Sequence, residues 1–419
     1  MDVNQIITGD SLDVLGEFEP ESVHAVVSDP PYGLAFMGRS WDDFEPLEYQ
    51  KWCHEWATEC LRVLKPGGHL LAFSGNRTHH RLFTGIEDAG FEIRDTITWH
   101  YGNGFPKASD ISKTIDKREG AERSVIGKKR VKSLKDAGGI TKEKYGIDKG
   151  ASVSPGAESK NVDITVPSTP DAKKWDGWKT GLKPATEFVV MARKPFDGAT
   201  VDCLLEYGSG ALNIGACRVG SESTTVARDG KSAELGYMGG GSQPEHTGSS
   251  EGRYPANVVF HYDEAKQLDA DVGELSGGAH PSQRNTTGYS GGLAQGDTGH
   301  ERKQLDSGGP SRYFYTSKAT QAERTLNGMI DNAHPTVKPL DLMEWLVRLV
   351  SARGQLILDP FAGTGTTCIA AKNLDREFIG IEQQAKWADV SRARIGLDVH
   401  DSENINNDDS QTVLEAFGV

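Results

Sequence analysis

The stretch Leu356-Ile357-Leu358-Asp359-Pro360-Phe361-Ala362-Gly363-Thr364-Gly365 constrains the fold of this chain more than any other. It reads as a short buried strand, a turn with two glycines and the opening of a helix, which is half of a parallel β-α-β unit. The partner strand, Phe378-Ile379-Gly380-Ile381, ends at Glu382, seventeen residues beyond Gly365. Glycines let a backbone approach a ligand, and an acid at the tip of the next strand can accept hydrogen bonds from ribose hydroxyls, so the unit suits an adenosyl group. It is not a phosphate loop of the Walker type, because no Lys follows Gly365. As a dinucleotide fingerprint it is poor, because Cys368 stands at the third glycine position.

The first third of the chain repeats the same alternation. Val23-His24-Ala25-Val26-Val27 is a buried-strand candidate that stops at Asp29-Pro30-Pro31-Tyr32-Gly33. From Leu47 to Leu64 the apolar residues Tyr49, Trp52, Trp56, Cys60, Val63 and Leu64 share a helical face, which ends at Lys65-Pro66-Gly67-Gly68. His69 to Phe73 and Ile93 to Trp99 read as further strands. Two consecutive prolines after Asp29 stiffen the turn and carry no N–H, so its carbonyls are free to face a ligand. Asp29 and the Pro30 carbonyl are two acceptors, the number an exocyclic amine needs for its two hydrogens. Tyr32 adds an aromatic face for a base taken out of a duplex stack. A strand-ending turn with a buried tyrosine would look the same, so this motif needs the glycine unit beside it.

Between these ends the composition changes. Residues 136–183 are rich in Gly, Ser, Pro, Asp and Lys and read as a long loop or a partly disordered insert; residues 186–192 regain strand character; residues 196–332 are loop-rich with short strand-like pieces at 257–260 and 313–315. The formal net charge of −14 excludes a protein that coats nucleic acid by bulk electrostatics. Any phosphate contact must be local, and residues 105–135 hold ten Lys/Arg against four acids. Lys128, Lys129, Arg130 and Lys132 within that stretch are the candidate DNA-binding residues, with a solvated charged loop as the plainer reading. The five cysteines are scattered without a C-x-x-C pair, so neither disulfides nor a metal site is expected. With no apolar run of membrane length and no signal-like start, a soluble, cytoplasmic protein is expected.

Together, D-P-P-Y and D-P-F-x-G-x-G resemble the amino-methyltransferases of DNA. Their order here, with Asp29-Pro30-Pro31-Tyr32 ahead of Phe361-Ala362-Gly363-Thr364-Gly365, is similar to the circularly permuted β group of that family. His334-Pro335-Thr336-Val337-Lys338-Pro339 resembles the segment that closes the cofactor pocket, and Thr8-Gly9-Asp10-Ser11-Leu12 an early segment near the cofactor's adenine. The resemblance implies a Rossmann-like seven-stranded α/β sheet assembled from both chain ends around a central loop-rich insert. It implies S-adenosyl-L-methionine as cofactor, held by Asp10, Thr336, Lys338, Asp359, Phe361, Gly363, Gly365 and Glu382. Catalysis falls to Asp29, Pro30, Pro31 and Tyr32, and the partner is double-stranded DNA. A homodimer and a cognate restriction enzyme stay open as further partners.

The implied organisation is a catalytic half at 1–105, a basic stretch and insert at 106–183, and a returning core strand at 184–195. A target recognition module at 196–333, a cofactor-binding half at 334–397 and an acidic tail at 398–419 complete it. Methylation at cytosine C5 is set aside, because it needs a cysteine that in that family follows a proline. The cysteines here follow Trp52, Glu59, Asp202, Ala216 and Thr367. Asp rather than Ser at position 29 favours adenine N6 over cytosine N4. An RNA methyltransferase and a catalytically idle cofactor- or DNA-binding protein are the remaining alternatives.

Overall fold

The computed structural model describes residues 2–34, 42, 44–102, 108–131, 160–226, 248–276, 307–317 and 337–397. Its centre is a nine-stranded sheet whose strands we number in chain order: β1 Gln5–Thr8, β2 Val23–Ser28, β3 Leu64–Ser74, β4 Glu92–His100, β5 Thr186–Arg193, β6 Val258–His261, β7 Tyr315–Ser317, β8 Leu356–Asp359 and β9 Glu377–Glu382. Across the sheet they run β1-β9-β8-β2-β3-β5-β4-β6-β7, and only β5 is antiparallel to its neighbours.

The expectation of a sheet built from both ends holds in detail. β1 pairs with β9, and β2 pairs with β8 through Ala25 and Val26 opposite Ile357 and Leu358. β2 and β8 are buried almost throughout, which is why they read as continuous apolar runs and not as alternating ones. Helices cover both faces. On one, Pro46–Val63 and His79–Asp88 press Trp56, Cys60, Leu82 and Ile86 against Val26, Leu70 and Leu358. On the other, Leu340–Val350, Thr366–Asn373 and Ala385–Ile395 bring Leu346, Ala370 and Ala388 onto Val27, Leu71 and Ile357. The five cysteines are unpaired and buried.

Two expectations change. The sheet has two strands beyond the expected seven, because β6 and β7, from the segment assigned to target recognition, continue it past β4. The physical reason is that β4 would otherwise present an unpaired edge, and β6 satisfies it from Thr98 to His100. The stretch read as a loop from 136 to 183 also contains ordered structure. Lys160–Thr165 pairs with Val125–Val131 as a hairpin, and Pro170–Lys174 is a short helix capped by the Thr169 side chain. Buried Asp116 fastens this unit, accepting from Arg123, from the Thr169 hydroxyl and from the amides of Ser168 and Thr169. Among the described residues no helix is long and apolar enough to cross a membrane. Thr336, Lys132 and the tail at 398–419 lie outside the described residues.

Candidate active site

β9, β8 and β2 lie side by side and parallel, so the glycine loop, Glu382 and the Asp29 turn all emerge at the same end of the sheet. Chain order reverses between β8 and β2, and the crevice outside such a switch point is where open α/β sheets bind ligands. One hydrogen bond ties the two loops at their base. Ser28 Oγ donates to Asp359 Oδ1 at 2.6 Å, and the Phe361 amide donates to the same oxygen at 3.1 Å. Burial pushes the Asp359 carboxyl up to about 6. Asp359 is therefore a joint between the motifs, only 2% exposed. The Phe361 ring is set between Trp52 and Trp56, at 5.3 and 5.5 Å, so it too is braced by the Pro46–Val63 helix.

The loop itself uses left-handed backbone at Gly363 (φ 55°) and Gly365 (φ 77°), a conformation that side chains with a Cβ rarely adopt. At Gly365 a Cβ would also press into Ser391 and lie 3.2 Å from Ile395 Cδ1. That glycine therefore also serves the packing of the 385–395 helix against the loop, a reason beside close approach of a ligand. The Gly363 amide donates to Glu382 Oε2 at 3.0 Å, and the Gln384 amide to Oε1 at 2.8 Å. Burial nevertheless raises the Glu382 carboxyl to about 7. Each of its oxygens retains a lone pair for a further donor. Asp10 caps the Ser11–Gly16 helix by accepting from the Leu12 amide at 2.9 Å, and Gln383 Nε2 reaches its other oxygen at 3.2 Å. Asp10 thus stands at the Glu382 end of the crevice.

At the other loop, the Tyr49 hydroxyl donates to the Pro31 carbonyl at 2.9 Å, which gives that carbonyl to the scaffold. Tyr32 carries its hydroxyl 2.9 Å from Asp29 Oδ1 and 2.9 Å from Glu187 Oε2. Lys338 Nζ lies 2.5 Å from Asp29 Oδ2, 3.1 Å from the Tyr32 oxygen and 3.4 Å from Glu187 Oε2. Burial holds the Tyr32 phenol well above its ordinary value, with both carboxylates adding to the effect, so it stays a donor. Burial alone would lower the Lys338 ammonium, but Asp29 and Glu187 outweigh it and the net direction is upward.

The sequence pattern of the DNA methylase family, whose members act at N6 and N4 amines, matches residues 23–195 and 256–392, well over half of the chain. The chain belongs to this family. Type II methyltransferase M.HindIII of Haemophilus influenzae is 22% identical over 94% of this methylase and 96% of its own length. Type II methyltransferase M.HpaI of Haemophilus parainfluenzae is 32% identical over 27% of this chain and 36% of its own. Among solved structures, the cytosine-N4-specific PvuII DNA methyltransferase aligns with a TM-score of 0.45 at 15% identity, covering 99% of this chain and 90% of that one. A putative DNA modification methylase from Thermus thermophilus, complexed with S-adenosyl-L-methionine, aligns with a TM-score of 0.40 at 17% identity and 95% coverage of both chains.

In this DNA methylase the site residues read from sequence fall into three places. Asp10, Asp359, Phe361, Gly363, Gly365 and Glu382 gather around the glycine loop. Lys338, expected with them, instead joins Asp29 and Tyr32. Lys128 and Lys129 are exposed on the 125–131 hairpin strand, which is no part of the central sheet, and Arg130 follows them there. Glu187 was not singled out from sequence. The available signal was a lone acid at the start of an otherwise apolar core strand, since a buried carboxylate must find a cation or donors.

Proposed function

We propose that this DNA methylase transfers a methyl group from S-adenosyl-L-methionine to the exocyclic N6 of an adenine held out of the duplex stack. The observation that carries the reading is the Ser28–Asp359 hydrogen bond, which joins the acceptor-bearing Asp29 turn to the glycine loop at one end of the sheet. The loop fits an adenosyl ligand: its backbone turns through two left-handed glycines, and Glu382 keeps acceptor capacity beside it. When bound, the cofactor supplies an electrophilic methyl on sulfur. The protein's own groups do the rest. Glu382 accepts from ribose hydroxyls, Asp29 and the Pro30 carbonyl fix the two amine hydrogens, and the Tyr32 ring offers a stacking face. An adenine amine has negligible acidity, so orientation supplies most of the rate and the proton leaves after transfer. Asp at position 29 favours adenine over cytosine, and the type II relatives favour a cognate restriction enzyme as a functional partner.

Two measurements test this. Methylated duplex hydrolysed to nucleosides should contain N6-methyladenine, whereas N4-methylcytosine would overturn the choice of base. Asp29→Ala should abolish transfer and leave cofactor affinity by calorimetry within about threefold, since Asp29 orients the amine and not the sulfonium. Parallel loss of affinity would place Asp29 at the cofactor.

A further inference from the structure

Both carboxylate oxygens of Asp29 already have partners: the Lys338 ammonium at Oδ2 and the Tyr32 hydroxyl at Oδ1. A target amine arriving at Asp29 must compete with a buried cation 2.5 Å away. Side-chain exposures of 8% for Lys338, 21% for Asp29 and 18% for Glu187 mean that water does little to weaken that grip. Glu187 offers the same two donors an alternative. Its Oε2 lies 2.9 Å from the Tyr32 oxygen and 3.4 Å from Lys338 Nζ. Tyr32 has one hydroxyl hydrogen and can donate it to only one of the two carboxylates at a time, whereas Lys338 has three hydrogens and reaches both.

We propose that Glu187 is a positioning residue: the second acceptor onto which the Tyr32 hydroxyl and the Lys338 ammonium move when the target amine takes their place on Asp29. This rests on the reading of Asp29 as the amine's acceptor. Glu187 lies on β5, the antiparallel strand inserted beside β3, and its neighbour Phe188 is held in register opposite Ser74. The Tyr101 hydroxyl also hydrogen-bonds the Glu187 carboxylate, and burial together with that carboxylate keeps the phenol protonated. The cluster of two carboxylates and one ammonium keeps one negative charge in excess. Lys338 can therefore leave Asp29 without leaving a carboxylate for open space. Asp29 then turns a freed lone pair to the amine while its former partners stay paired.

The test compares full-length variants on target duplex. Glu187→Gln removes the competing charge at constant size, so Lys338 is left on Asp29 alone. Its kcat should fall by about 10- to 100-fold, the span of one charge-assisted hydrogen bond, with cofactor affinity within about twofold. Adding Lys338→Gln to Glu187→Gln should raise kcat again, because the clamp on Asp29 is gone. Glu187→Asp, which keeps the charge one methylene short, should lose less than the Gln variant, and Lys338→Gln should relieve that loss too. A Glu187→Gln enzyme at wild-type kcat, or double variants slower than the single Glu187 variants, would overturn the proposal. Asp29→Ala run alongside separates the two readings: if it still methylates, the reading of Asp29 fails first.

Discussion

Lys338 Nζ stands 2.5 Å from Asp29 Oδ2, although 309 positions separate the two residues in the chain. The pair links the turn after β2 to the segment that leads into the Leu340–Val350 helix, so it joins the amino-terminal and carboxy-terminal halves of the domain above the sheet. A Lys seen only in sequence next to a cofactor-pocket segment is naturally assigned to the cofactor. In the structure its neighbours are Asp29, Tyr32 and Glu187.

That difference is measurable. Lys338→Met should leave the partly buried Asp29 and Glu187 carboxylates without their buried cation, and should cost up to about 3 kcal/mol in unfolding free energy, the lower end of the scale for breaking a fully buried pair. Cofactor affinity in the folded variant should change by less than about threefold, since one hydrogen bond to a ligand would carry tenfold or more. Denaturant melts and calorimetry on the same preparation check both parts. A tenfold loss of affinity with unchanged stability would return Lys338 to the cofactor.

Gly365 was legible as a glycine that matters, yet its packing against Ser391 was not. In sequence the only visible explanation is room for a ligand, because Ser391 is 26 positions away on a helix whose packing no local pattern reveals. The Asp29-Pro30-Pro31-Tyr32 turn was legible because an apolar run and two prolines act locally. Glu187 was not, since its meaning depends on Tyr32, 155 positions away. β6 and β7 were legible as short strand-like pieces, but their place in the central sheet was not, since runs of four and three residues reveal their partners only through the edge they cover. The hairpin strand Lys160–Thr165 likewise depends on a partner strand that ends at Val131.

For Gly365 the expectation is a stability effect. Gly365→Ala should destabilise the protein by about 2–5 kcal/mol, combining left-handed strain with overpacking against Ser391. Adding Ser391→Gly should recover part of it, because the crowding is relieved and the strain is not. Thermal melts of the two variants without cofactor decide this. A Gly365→Ala protein as stable as wild type, but unable to bind cofactor, would restore the ligand explanation.

Glu382 connects pH to binding. Burial lifts its carboxyl from 4.5 to about 7, so between those values the folded protein holds a proton that the unfolded chain has lost. Its contribution to stability is full below pH 4.5 and declines as pH rises through 7. Ribose hydroxyls prefer the ionised acceptor, so cofactor affinity should move the other way. It should rise with pH by up to about tenfold per unit below 7 and then level off. Glu382→Gln should flatten the affinity profile. Calorimetric titrations from pH 5.5 to 8.5 are the check, and a profile unchanged in the variant would move the ribose contact elsewhere.

The candidate DNA surface can be narrowed by the hairpin. Lys128 and Lys129 are neighbours on an extended strand, so their side chains leave opposite faces, and one phosphate-tracking surface can use only one of the two. Lys128 stands opposite Asp163 in the register, whereas Lys129 stands opposite Val162. An acid directly across a strand pair shares a face with its partner and offsets its charge. Lys129 is therefore the stronger phosphate candidate. Lys129→Ala should weaken binding on target and non-target duplexes alike and reduce the slope of log affinity against log salt by about 0.9, one phosphate contact. Lys128→Ala should change the slope by less. Sequence preference should survive both, because phosphate contacts position a protein on the duplex and base contacts specify the site. Salt titrations of affinity for the two single variants make the comparison. Equal slopes in both variants and the wild type would make the hairpin a solvated surface, and a shift in target preference would move base readout into it.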